Sequence, residues 1–193
     1  MKTLLKLKTL TQLVVLGLFL LLSGLSCEKE YPPGTPEIYK LPPITQTGAD
    51  TFGCLVDGKA FTPKGTWGSS GLQLYYQYVN NAYHFNIGVT RNEINAPLRG
   101  MQIRSHGIQL EVKNYELTEP DLPLSFGAFY TIYPDYAEID KYQTNSMVKG
   151  EITISRFDLA NQIVSGTFWF DAINKDGKTV QVREGRFDSH FVL

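Results

Sequence analysis

Residues able to do chemistry are few in this chain, and they are scattered. Its three histidines, His84, His106 and His190, stand at spacings that match no metal-ligand pattern, and no Cys-x-x-Cys pair exists. Two groups of carboxylates, Glu116, Glu119 and Asp121, and Asp135, Glu138 and Asp140, are dense enough to suggest paired acid–base work on a glycoside or a calcium site. Both groups fall in or beside expected loops, where solvated acids are ordinary. Asn174-Lys175-Asp176-Gly177 resembles part of a calcium loop, but Ala172 and Arg183 would occupy its first and twelfth ligand positions, so a hairpin turn is the better reading. Gly68-Ser69-Ser70-Gly71 lacks the spacing of a nucleophile elbow and reads as a flexible loop.

Three aromatic residues depart from the apolar pattern around them. Tyr75 lies between Gln73 and Gln77, Trp169 alternates against Phe168 and Phe170 across from Arg183, and Trp67 sits in a Gly-rich loop. Exposed rings of this kind can serve as platforms for sugars or partner proteins. They can equally be covered by loops or stacked on a cation, as Trp169 would be on Arg183. Trp67, Tyr75 and Trp169 are therefore the candidate ligand-binding residues. No catalytic residue, metal ligand or cofactor is expected.

The N-terminus carries an address. Lys2, Lys6 and Lys8 precede the ten-residue apolar run Leu13–Leu22, and small residues lead to Cys27. A basic head, short apolar stretch and small-residue cleavage site make a secretory signal. The run is too short to span the ~30 Å hydrocarbon core of a bilayer. Cleavage before Cys27, with lipid attached to its thiol, is the leading expectation. Gly24 and Ser26 also permit ordinary cleavage. If Cys27 carries lipid, Cys54 has no partner; if not, a Cys27–Cys54 disulfide becomes available in an oxidising compartment. Cys54 alternates with Phe52 and Val56, which suits a buried structural thiol.

After the cysteine, Pro32, Pro33, Pro36, Pro42 and Pro43 stiffen the stretch to Thr47. The expected division is a signal peptide at 1–26, a lipid-anchored Pro-rich tether at 27–47 and a β domain at 48–193. Loss of the leader lysines leaves a mildly acidic chain, without the basic footprint of a nucleic-acid binder. The 11 Tyr, 11 Phe, 2 Trp and 17 Gly favour strands.

Within the domain, turn residues fix register. Asp57-Gly58 should pair Cys54 with Phe61 and Leu55 with Ala60. Asn80-Asn81 should set Tyr76 against Phe85 and Leu74 against Ile87, giving one wholly apolar face and one nearly polar face. Lys175-Asp176-Gly177 should pair Ala172 with Val180. Glu184-Gly185 reads as another turn, placing Val182 against Phe187. With Ile154 opposite Val164 and Gly150 opposite Phe168, residues 148–193 read as a four-stranded meander. Weaker strands are expected near 100–104, 109–117 and 128–133. The whole is an all-β, hairpin-rich antiparallel sandwich or partly closed barrel of about ten strands.

The segment Thr45-Gln46-Thr47-Gly48 with Thr51-Phe52-Gly53-Cys54, together with Gly166-Thr167-Phe168 and Gly185-Arg186-Phe187-Asp188, resembles an uncharacterised Bacteroidota lipoprotein family. That resemblance implies a lipidated Cys27 and outer-membrane placement. Glu28-Lys29-Glu30 resembles a surface-export signal, with the periplasmic or outward orientation left open. It implies no activity. The leading functional expectation is a non-enzymatic envelope module that binds a protein, glycan or small apolar ligand, attached to the membrane through its lipid. A glycan-acting hydrolase using the loop carboxylates and a purely structural envelope component are the alternatives. Exposed rings joined in one strip would favour binding, and two carboxylates facing across a cleft would favour hydrolysis.

Overall fold

A computed structural model describes residues 31–65, 70–134 and 138–193. The leader and Cys27 lie outside the described residues, as do Trp67 and Asp135. After a 3-10 turn at Glu37–Lys40, eleven strands follow. They are β1 (Thr51–Val56), β2 (Lys59–Phe61), β3 (Leu72–Val79), β4 (Ala82–Arg91), β5 (Leu98–His106) and β6 (Asn114–Leu117). Next come β7 (Ser125–Tyr133), β8 (Asp140–Gln143), β9 (Gly150–Asp158), β10 (Ile163–Ile173) and β11 (Thr179–His190). No α-helix occurs among the described residues, in keeping with the all-β reading.

Local turn chemistry decides the hairpins. Asp57 and Gly58 both take positive φ, as do Asn80 and Asn81, which suits the right-handed twist of the flanking strands. The expected registers result: Cys54 with Phe61, Tyr76 with Phe85, Leu74 with Ile87, and Ala172 with Val180. Their inward rows form a core in which Phe52, Phe61, Phe85, Phe126 and Phe170 are among the largest fully buried side chains.

The strand order is β2-β1-β11-β10-β9-β6-β7-β5-β4-β3. The sheet folds over its core as a sandwich-like pair of halves, β1-β11-β10-β9 and β7-β5-β4-β3. Two short strands stitch the halves together. β6 pairs antiparallel with β9 and touches β7 in parallel at Leu117 and Phe126; β8 pairs with β7 and, through Gln143, with Ile173 of β10. The sheet is thus mixed at β6–β7, where a wholly antiparallel one was expected, because β6 must cross from one half to the other. Past β11, Val192 exchanges backbone hydrogen bonds with Leu74 and Tyr76 at 3.0 and 2.9 Å, covering the free edge of β3.

Three further expectations fail for identifiable reasons. Glu184-Gly185 is no turn: β11 runs through it, and an extra residue bulges where Phe168 faces Gly185 but Phe170 faces Val182. Glu184 takes φ +56° there. Val182 and Phe187, an odd number of residues apart, reach the same core because the bulge restores their phase. The meander therefore has three strands, β9 to β11, with β1 completing that half. The turn between β9 and β10 pairs Val164 with Phe157 instead of Ile154, and past a bulge at Ser155 Ile154 faces Gly166 and Gly150 faces Phe170 instead of Phe168.

The third failure concerns the tether. From Thr35 the chain belongs to a compact unit that continues to Leu193. Glu37 accepts the Ala60 N–H at 2.9 Å on the open edge of β2, and Leu41 is buried. The stretch 35–47, expected as the far part of an extended tether, is folded against the sheet. Its anchor is Asp188, a residue remote in sequence.

Candidate functional site

Outward residues of β3, β4, β5, β7 and β8 line up in rows across the strands. One row runs Gln73, Gly88, Gln102, Phe129 and Gln143; the next runs Thr90, Gly100, Thr131 and Lys141. Gly88 and Gly100 leave the middle of this surface without side chains. Neither has positive φ, so the backbone itself does not call for glycine. A Cβ on Gly100 would sit 2.7 Å from Thr131 Oγ1, and one on Gly88 would sit 3.3 Å from Asn86 Nδ2, both ends of side chains that can swing aside. The result is a groove of about 450 Å³, bordered by Leu98, Tyr133 and Ile139 at its apolar end.

Phe129 gives the groove its chemistry. In β7 the alternate residues Phe126, Ala128 and Tyr130 enter the core, and Phe129 points the other way. It is nonetheless only 3% exposed. Two cations cover it: the Arg104 guanidinium carbon lies 4.6 Å from the ring centroid and the Lys141 ammonium 3.9 Å. Both are within the range of a cation–π attraction. Arg104 is fixed by a 3.2 Å hydrogen bond to the Pro120 carbonyl and an ion pair with Asp121. Lys141 has no ion pair among the described residues. Burial lowers its pKa; Asp121 pulls it up and Arg104 down again. Beside them Gln102 donates to Asn86 Oδ1 at 2.6 Å, which leaves the Gln102 carbonyl as an acceptor.

Tyr75 and Trp169 do not join in one strip of the kind that would favour binding. Tyr75 lies on the outer face of β3, in the row of Asn86 and Arg104. Trp169 belongs to the outer face of the opposite half, with the Arg183 guanidinium 5.5 Å from its ring, as the cation-stacking alternative anticipates. Trp67 lies outside the described residues.

The loop carboxylates are occupied separately. Glu116 pairs with Lys149 at 2.6 Å, Glu119 accepts the Ser146 N–H at 3.3 Å, and Asp121 holds Arg104. Asp140 accepts from Asn174 and Tyr142, and burial together with that carboxylate pushes the Tyr142 phenol up to about 12. Asn174 Oδ1 accepts the N–H groups of Asp176 and Lys178, which is a side-chain-capped turn. Strand pairing brings His84 and His106 together, rings 4.6 Å apart, a contact that their sequence spacing does not reveal. No third ligand completes a metal set among the described residues. Ser189 and His190 both turn to Asp50, at 2.8 and 3.3 Å. The serine proton thus goes to the carboxylate and not to the imidazole, so no activated nucleophile results. Cys54 is fully buried, its sulfur 3.9 Å from that of Met101, and burial pushes its thiol pKa up.

Thr45-Gln46-Thr47-Gly48 has a structural task. Asp188 Oδ2 accepts from the Thr45 hydroxyl at 2.6 Å and from the N–H groups of Thr47 and Ala49 at 2.9 and 3.2 Å. Oδ1 accepts from the Gly48 N–H at 2.8 Å and the Ser165 hydroxyl at 2.7 Å. Burial alone would raise the Asp188 pKa, but the hydroxyls of Thr45 and Ser165 and these backbone donors outweigh it and hold the carboxyl well below the usual carboxylate range.

Residues 100–189 match the family model of a domain of unknown function, DUF6252. The match covers just under half of the chain, from β5 into β11. Arg104, Phe129, Lys141 and Asp188 fall inside it; Gln73 and Gly88 do not. Comparison with curated proteins finds no match, and neither does comparison with solved structures.

Proposed function

We propose that this chain is a lipid-anchored protein of the bacterial outer membrane whose β domain is a non-enzymatic binding module, with the groove above Phe129 as its binding surface. The carrying observation is the groove itself: a glycine-floored depression of about 450 Å³ in which two cations and several amide and hydroxyl groups converge. Such concave sites with a few convergent polar groups are where small ligands bind. The basic leader, its ten apolar residues and Cys27 support the anchor, as does the resemblance of the Thr45–Cys54 segment to Bacteroidota lipoproteins. Two or three acyl chains on one residue give stable attachment where one does not.

Intact mass measurement of the membrane-fraction protein tests the anchor. A mature chain starting at Cys27 with added acyl mass is expected, and an unmodified Cys27 thiol refutes it. Gly100→Leu tests the binding surface by filling the groove: ligand-induced stabilisation seen with the unaltered chain should vanish, and its persistence would place binding elsewhere.

A further inference from the structure

The cations around Phe129 are unequally compensated. Asp121 is ion-paired with Arg104, whereas it attracts the Lys141 ammonium only from longer range, and that ammonium meets the ring face with no close carboxylate among the described residues. Both positive charges lie within 4.6 Å of one ring centroid, so they repel each other. An anion entering there would relieve that repulsion and gain a charge-assisted hydrogen bond. Burial is the main reason the Lys141 pKa is lowered; Asp121 opposes the shift and Arg104 adds to it.

Of the remaining walls, one end is apolar, formed by Leu98, Tyr133 and Ile139, and the middle is polar and neutral. Gln73, Gln102 and Thr131 present amide and hydroxyl groups to the groove, and Gly88 and Gly100 let a ligand approach the sheet backbone. Phe129, covered by its cations, offers no bare ring to an apolar ligand. A ligand matching these walls carries one negative group, several hydroxyls and a C–H face for the apolar end.

We propose that the groove takes an acidic saccharide, its carboxylate seated on the Lys141 ammonium with the Arg104 guanidinium alongside and its hydroxyls bonded to Gln73, Gln102 and Thr131. This inference rests on the groove being the binding surface. The test is calorimetric titration of the full chain in detergent with two ligand pairs: trigalacturonic acid and its methyl ester, and N-acetylneuraminic acid and its methyl ester. Esterification removes the charge and keeps the sugar. At least one acid should bind ten-fold or more tightly than its ester. Lys141→Gln should erase that difference, Lys141→Arg should restore most of it, and 0.5 M salt should weaken the acid alone. Equal binding of acid and ester, with Gly100→Leu abolishing both, overturns the charge inference and leaves the binding surface standing. Binding that survives Gly100→Leu overturns the surface as well. Absence of binding by both acids also refutes the inference.

Discussion

Asp188 joins the two ends of the domain, and Asp188→Asn isolates what that junction contributes. The carboxylate accepts from Thr45, Thr47, Gly48, Ala49 and Ser165 at 1% exposure. An amide replaces one acceptor oxygen with a donor. At the Oδ2 position it would oppose the N–H groups of Thr47 and Ala49, so the cheaper placement is at Oδ1. There Ser165 can rotate to accept, but the Gly48 N–H loses its partner. One orphaned buried N–H costs about 1–3 kcal/mol, and the surviving bonds weaken because they are no longer charge-assisted. The expected loss is about 3 kcal/mol, or roughly 6–12 °C in melting midpoint for a domain of this size. Urea unfolding gives the energy, and hydrogen exchange at Thr47, Gly48 and Ala49 should accelerate ahead of the core strands. The acid limb supplies a sign test. A carboxyl whose folded pKa is depressed contributes stability above its unfolded value of about 4 and loses it as pH falls below that. The gap between the two proteins should therefore narrow from pH 4 downward. A loss under about 1 kcal/mol, or a gap that widens in acid, would refute this account.

Gly166→Ala places a Cβ 2.1 Å from the Thr153 carbonyl oxygen and 2.8 Å from the Phe187 ring, so it should cost about 1–3 kcal/mol in urea unfolding; a change below 0.5 would mean that β9 and β10 are not held as described. Lys141→Met removes the charge of a lysine that is exposed on β8 yet partly desolvated where its ammonium lies over Phe129. Because the folded pKa of this lysine is lowered, its charge works against folding at pH 7 and ceases to do so once it deprotonates. The variant should melt higher at pH 7, with the advantage shrinking toward pH 10, and a lower melting point at pH 7 would show the ammonium to be stabilising. Cys54, fully buried and with its thiol pKa raised, should react with a thiol reagent only at the rate of global unfolding; rapid labelling of the folded chain would contradict its burial.

Long-range contacts separate what was legible from what was not. The groove was missed because Arg104, Phe129 and Lys141 stand on three different strands, and only the β5–β7–β8 pairing brings them over one ring. One signal was available: in Phe126–Tyr130, Phe129 breaks the alternation as a large apolar residue on the solvent phase, which asks for a cover. The proline-rich stretch offered less, since its composition says extended without saying free. Asp188 binds it from the far end of the chain. Bulges at Ser155 and Glu184 escaped because an inserted residue changes phase without a turn signature.

By itself the sequence determined the strands' inward faces and the hairpins at Asp57-Gly58, Asn80-Asn81 and Asp176-Gly177. A two-residue period and a left-handed φ are properties of neighbouring residues, so they can be read locally. Only the tertiary structure decided which strand lies beside which, where the sheet folds over and which outward side chains share a groove. Those outcomes depend on burial summed over residues distant in the chain, and no local stretch carries that sum.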